Sequence, residues 1–148
     1  MSARIDGRAV RRYLVVANQT LGGEDLAAAV RSRHQQEPAR FHVVVPATHP
    51  QDQATWTEGE ARANAERQLE TALKRFRQLG VDVDGEVGDE SPLQAIGDAV
   101  AAETYDEIIL STLPPGVSRW LKQDLPHRVE RSFGLPVTHV TAEAESTG

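Results

Sequence analysis

Apolar residues recur along this chain with two alternating periods, and the switches between them mark out the secondary structure. Tyr13-Leu14-Val15-Val16-Ala17 and Phe41-His42-Val43-Val44-Val45 are short, nearly unbroken apolar runs, the pattern of strands buried on both faces. Between them, Glu24 to about Arg33 predicts a helix with Leu26, Ala29 and Val30 on one side. Pro46 stops the second strand, Thr48 to Asp52 is a polar loop, and a long helix follows from about Thr57 to Leu79. Its buried stripe is Ala61, Ala65, Leu69, Ala72, Leu73 and Phe76, and Gly80 ends it. Val81 to Val87 alternates apolar and acidic residues, which fits a third strand near a sheet edge with its acidic side exposed. Ser91 and Pro92 supply an N-cap and a proline at the first helical position, ahead of a helix with Leu93, Ile96, Gly97, Val100 and Ala101 turned inward.

The stretch from Tyr105 to Val140 lays out a complete strand, loop, helix and strand. The fourth strand is Glu107 to Ser111, followed by Pro114-Pro115-Gly116. Val117 to Phe133 is mostly helical, but Pro126 cannot sit deep in an unbroken helix, so a restart is expected with Asp124 as cap and Pro126 in the first turn. Gly134 ends that helix, and Pro136 to Val140 is the fifth strand. Five strands alternating with four helical segments call for an α/β protein: a single-domain, three-layer α/β/α sandwich on a five-stranded parallel sheet. Residues 1–11 are expected to form a flexible arm, 12–141 the domain, and 142–148 a flexible tail.

Composition narrows the chemistry. The chain has 148 residues and no cysteine, which removes disulfides, thiolate nucleophiles, iron–sulfur clusters and cysteine-bound zinc. No apolar run approaches the length of a membrane span, and the N-terminus lacks a signal-peptide pattern, so the expected location is cytoplasmic. A net charge of −6 argues against nucleic acid as a partner. The five histidines include no i, i+4 pair with an acidic partner, so no metal site is expected. His42 and His139 read as packed or edge residues.

Open parallel sheets bind ligands outside the carboxyl ends of their strands. The residues placed there are Ala17, Asn18, Thr20, Pro46, Val87, Gly88, Asp89, Ser111, Thr112, Gly116, Ser118, Arg119 and Asp124, the candidate pocket. Gly116, Ser118 and Arg119, with Arg128 or His127, could form a small anion site; the competing reading is a rigid turn beside a solvated helix face. Asp89 and Glu90 either face the ligand or merely occupy the turn before a helix. Asp124, His127 and Ser111 could be arranged as a triad, but no Gly-x-Ser-x-Gly elbow accompanies them. Trp56 and Trp120 are the only tryptophans, and Trp120 is either a lid over the pocket or a packing anchor. An acidic pair after strand one and a lysine after strand five, as a phosphorelay receiver requires, are missing, as is a His-x-Gly-His motif of a nucleotidyltransferase.

Three pieces carry a resemblance that covers about Arg12 to Val140. They are Val15-Val16-Ala17-Asn18-Gln19-Thr20, Gly88-Asp89-Glu90-Ser91-Pro92, and the ending from Ser118-Arg119 to Pro136-Val137. Together they resemble the universal stress protein family. The resemblance implies strand order 3-2-1-4-5, an adenine contact at Asn18 where the family has Asp, and a homodimer paired through the fifth strand, Pro136 to Thr141. ATP-binding members hold the phosphates on Gly-x-x-Gly, nine residues and Gly-Ser/Thr. Counted back from Pro136, those positions fall near Leu110, Leu113, Gln123 and Asp124, and all four depart from the pattern.

The expected function is a non-catalytic, stress-related or regulatory domain with a degenerate nucleotide pocket and weak or no ATP binding. No cofactor is assigned beyond a weakly held adenine nucleotide or nucleoside. The alternatives are an adenine-nucleotide binder that uses an atypical Pro-Pro-Gly loop, and a homodimeric interaction module with a vestigial pocket. For an enzyme such as an esterase or phosphatase, no constellation is present.

Overall fold

A computed structural model of the chain describes residues 4–5, 8–47 and 57–142. The loop expected over 48–52, Trp56 and residues 143–148 lie outside them. Five strands form one sheet: β1 (Arg11–Val16), β2 (Ala39–Pro46), β3 (Val83–Gly88), β4 (Glu107–Thr112) and β5 (Val137–Thr141). Every neighbouring pair is parallel, in the order β3-β2-β1-β4-β5, the 3-2-1-4-5 arrangement implied by the resemblance. The register places Val15 between Val43 and Ile109, so the apolar runs lie side by side across the middle of the sheet. A separate two-residue ladder pairs Arg4–Ile5 with Arg8–Ala9, and Val10 is buried where the chain enters β1.

Alternation along the strands divides the interior into two cores. Tyr13, Val15, Phe41, Val43, Val45 and Ile109 face α1 (Glu24–Gln36) and α2 (Glu58–Gln78). Leu14, Val16, Val44, Ile108 and Leu110 face α3 (Pro92–Ala102), α4 (Arg119–Lys122) and α5 (Leu125–Phe133). Helix α2 matches its expected stripe and opens with a capping box, Thr57 Oγ1 accepting from the Glu60 amide at 3.1 Å while Glu60 Oε1 accepts from the Thr57 amide at 2.7 Å.

Three expectations are corrected. Helix α1 extends to Gln36, and Ala27 is buried beside Leu26 and Val30 while Ala29 is only half-covered. In α3 Ile96 is buried and Leu93 and Val100 pack on the core as expected, but Ala95 and Ala99 are buried more deeply than either of the latter and Ala101 is exposed. Small residues win there because the helix lies almost against the sheet: a Cβ added to Gly88 would come within 2.8 Å of Ala95 Cβ. The chain does break at Asp124, but that residue does not cap α5 with its side chain. Its backbone is left-handed, φ 58°, and Oδ1 lies 3.2 Å from His127 Nδ1 instead of meeting an amide.

Outer strand β3 comes equally close to its neighbours at Gly85, where an added Cβ would sit 2.7 Å from both Leu69 Cδ1 and the Val43 carbonyl oxygen. Leu69 can turn aside; the β2 backbone cannot. Gly85→Ala is therefore expected to lower unfolding free energy by about 1–3 kcal/mol in urea titration, and an unchanged midpoint would show that β3 can shift outward without cost.

Candidate functional site

Sheet order decides where the candidate residues meet. The chain leaves β1 toward β2 and leaves β4 toward β5, on opposite sides, so a crevice opens between the carboxyl ends of β1 and β4. Asn18 and Thr20 come from the turn after β1, and Ser111 and Thr112 from the end of β4. All four are buried, as is Ser118.

Most of these polar groups bond to one another or to backbone. Thr20 Oγ1 and Ser111 Oγ are 2.5 Å apart, a hydroxyl pair across the base of the crevice. Asn18 Nδ2 donates to the Pro46 carbonyl at 2.5 Å, tying the β1 turn to the end of β2. Thr112 Oγ1 donates to the Leu113 carbonyl at 2.9 Å, so it accepts from His139 Nε2, 2.7 Å away on β5. Burial pushes the His139 pKa below its ordinary value, consistent with a neutral ring. Val87 and Gly88 end β3, and the Gly88 carbonyl accepts from the Ala47 amide at 3.2 Å. Asp89 closes a turn by accepting from the Ser91 amide at 2.9 Å, while Ser91 caps α3.

The loop from Leu113 to Ser118 has a restricted supply of donors. Pro114 and Pro115 carry no N–H, and the amides of Val117 and Ser118 both donate to the Pro114 carbonyl, at 3.2 and 3.1 Å. Of its six residues, two lack an amide hydrogen and two have spent theirs, which leaves Leu113 and Gly116. Ser118 Oγ accepts from the Leu121 amide at 3.1 Å as the cap of α4. Arg119 is exposed, Gly116 takes a positive φ of 94°, and Trp120 packs in the core with Leu125 and Val129 instead of forming a lid.

The triad geometry is not assembled. Ser111 is bonded to Thr20, whereas His127 pairs with Asp124 on the exposed side of α5. Among the described residues no group of three or more His, Asp or Glu is placed to hold a metal ion, and no helix is long and apolar enough to cross a membrane. One polar cluster escaped the sequence reading altogether: His42 on β2 meets Asp84 and Glu86 of β3. The signal was there, since the alternation over Val81 to Val87 puts both acids on one face of the strand beside β2.

No protein-family profile and no curated protein matches the sequence. Solved structures do match in fold. A universal stress protein family protein from Burkholderia pseudomallei aligns with a TM-score of 0.60 and 17% identity, over 86% of this chain and 93% of that one. One from Arabidopsis thaliana, with AMP bound, gives 0.64 and 10% over 90% and 93%. A universal stress protein from Archaeoglobus fulgidus gives 0.61 and 15% over 88% and 93%. The chain thus has the universal stress protein fold over nearly its whole described length.

The hydroxyl pair has a measurable signature. Thr20→Val or Ser111→Ala alone strands a buried hydroxyl and should cost about 1–3 kcal/mol, while the double variant should cost clearly less than the sum of the two. Strictly additive losses in chemical denaturation would show that the two hydroxyls are not coupled.

Proposed function

We propose that the chain is a non-catalytic, universal-stress-protein-like domain with a stress-related or regulatory role, whose crevice takes a nucleoside or another small polar ligand and holds a triphosphate weakly or not at all. The observation that carries this reading is the donor shortage in the 113–118 loop. Phosphate oxygens are best bound by consecutive backbone N–H groups that converge on one point. Here two prolines interrupt the series and the Pro114 carbonyl takes two of the remaining amides. Asp124, at the position expected for a hydroxyl, adds a negative charge on an exposed side chain.

The base-binding half fares better. Asn18 uses Nδ2 on Pro46, and its Oδ1 accepts from no described residue, so an acceptor remains at the mouth of the crevice. The AMP bound to the Arabidopsis protein supports the choice of an adenine compound as the first probe. Calorimetric titration is expected to rank adenosine and AMP equal to or above ATP, with ATP in the millimolar range. Micromolar ATP affinity would refute the reading.

A second reading concerns assembly and rests on β5. This strand has a sheet neighbour on one side only. The Pro136 carbonyl accepts from Ile108 N–H, and Ala142 N–H donates to the Thr112 carbonyl, so even-numbered residues face β4. The backbone groups of Val137, His139 and Thr141 therefore point outward, toward a second copy in a homodimer. Light scattering should give twice the 16.2 kDa chain mass. Thr141→Pro deletes one outward N–H and should shift the protein toward the monomer without lowering its unfolding midpoint. A monomeric wild type, or a dimer indifferent to this change, would rule the interface out.

A further inference from the structure

Away from the crevice, the α3 side of the sheet holds a charged cleft of about 330 Å3 whose lining includes Arg12, His42, Asp84, Glu86, Glu103 and Tyr105. At its centre the His42 ring reaches two carboxylates at once, Nδ1 to Asp84 Oδ1 at 2.8 Å and Nε2 to Glu86 Oε2 at 2.9 Å. A neutral imidazole has one N–H and one lone pair, and a lone pair facing a carboxylate at that distance repels it. Both contacts are attractive only when both nitrogens carry protons.

We propose that His42, held as a doubly protonated imidazolium between Asp84 and Glu86, is a pH-responsive clamp that fastens outer strand β3 to β2 and loosens it under alkaline conditions. Strand β3 depends on such a clamp more than its neighbours do. On the α3 side it presents only Asp84, Glu86 and Gly88, so its two acids are the side chains that can bond across to β2. The register puts His42 directly beside Asp84, with Glu86 two residues further on the same face. On the opposite side of the sheet, the glycine at 85 gives α2 backbone to pack on where a side chain would otherwise stand.

The other charges around the ring are mutually paired. Arg12 meets Glu103 at 2.7 Å and Arg40 meets Asp82 at 3.1 Å. Tyr105, from the loop before β4, stacks on His42 with ring centroids 6.2 Å apart, and Arg12 lies 6.0 Å from the Tyr105 ring centre. Burial, with the charge of Glu103, pushes the Tyr105 pKa up to about 12, so its hydroxyl stays neutral. That leaves His42 as the cleft residue whose ordinary pKa lies near neutrality. Burial is the largest single influence on it and pulls the value down, but the hydrogen bonds and charges of Asp84 and Glu86 together more than reverse this. The net direction is upward from 6.5. A histidine raised in this way contributes its full stabilisation below 6.5 and loses it as pH rises through the folded-state value. His139, lowered by burial, has the opposite sign and lies at the other end of the sheet, so a readout confined to β3 separates the two.

This clamp stands independently of any ligand in the crevice. Its test is an NMR titration of the His42 ring, together with hydrogen exchange of the Asp84, Glu86 and Gly88 amides, which face β2, at pH 6 and pH 9, corrected for intrinsic rates. The wild type should titrate above 6.5 and lose β3 protection between the two pH values, read as a several-fold faster corrected exchange at pH 9 than at pH 6. His42→Gln should show the same corrected protection at both. Glu86→Gln, at an exposed position that leaves the fold intact, should bring the His42 midpoint down toward its ordinary value. A midpoint at or below 6.5, or a pH dependence of β3 protection shared by wild type and His42→Gln, would overturn the proposal.

Discussion

Along their apolar middles, strands β1 and β4 have no face on which a charge could sit. Leu14, Val15 and Val16 and their neighbours Ile108, Ile109 and Leu110 are fully buried, three helices cover one side and two the other, and the register locks the two runs together. Burying an unpaired polar group there would cost several kcal/mol. Chemistry is consequently pushed to the strand ends, where the first polar residues after each apolar run emerge. Asn18, Thr20, Ser111 and Thr112 are buried together for that reason, and burial then obliges them to bond to one another or to backbone.

The same logic separates what the chain discloses as a string of letters from what it does not. Strand and helix positions were legible because each rests on local spacing: the alternation around Val83, the three- and four-residue recurrence from Ala61 to Phe76, the proline at 126 that forces a restart. That Asn18, Thr20, Ser111 and Thr112 would gather at the strand ends was legible too, since it follows from strand ends alone. In helix α3 the inward Leu93, Ile96 and Val100 were read correctly, but Ala95 and Ala99 were passed over because larger apolar residues look like better core residues. Close approach to Gly88 reverses that preference, and close approach is a property of the assembled sheet.

Pairings across the sheet were illegible for a further reason. Thr20 and Ser111 stand 91 residues apart, and His42 and Asp84 stand 42 apart. Only strand order makes them neighbours. Asp124 shows the converse, where a local rule suggested a side-chain cap and the backbone adopted a left-handed turn that turned the carboxylate toward His127. The rule identified the right break in the helix and the wrong use of the side chain.

The two outer strands answer the same physical problem differently. An edge strand exposes unpaired N–H and C=O groups and must be discouraged from pairing at random. Strand β3 carries Asp84 and Glu86, with Asp82 just ahead of it, and charges of this kind at an edge oppose stacking of like copies. Strand β5 carries Val137, Thr138, His139, Val140 and Thr141, with no formal charge unless the histidine is protonated, and burial disfavours that. An edge that is neutral and β-branched is protected only by a partner or a cover. The asymmetry lies in how each edge is guarded: β3 carries acidic side chains that oppose pairing with like copies, while β5 carries none.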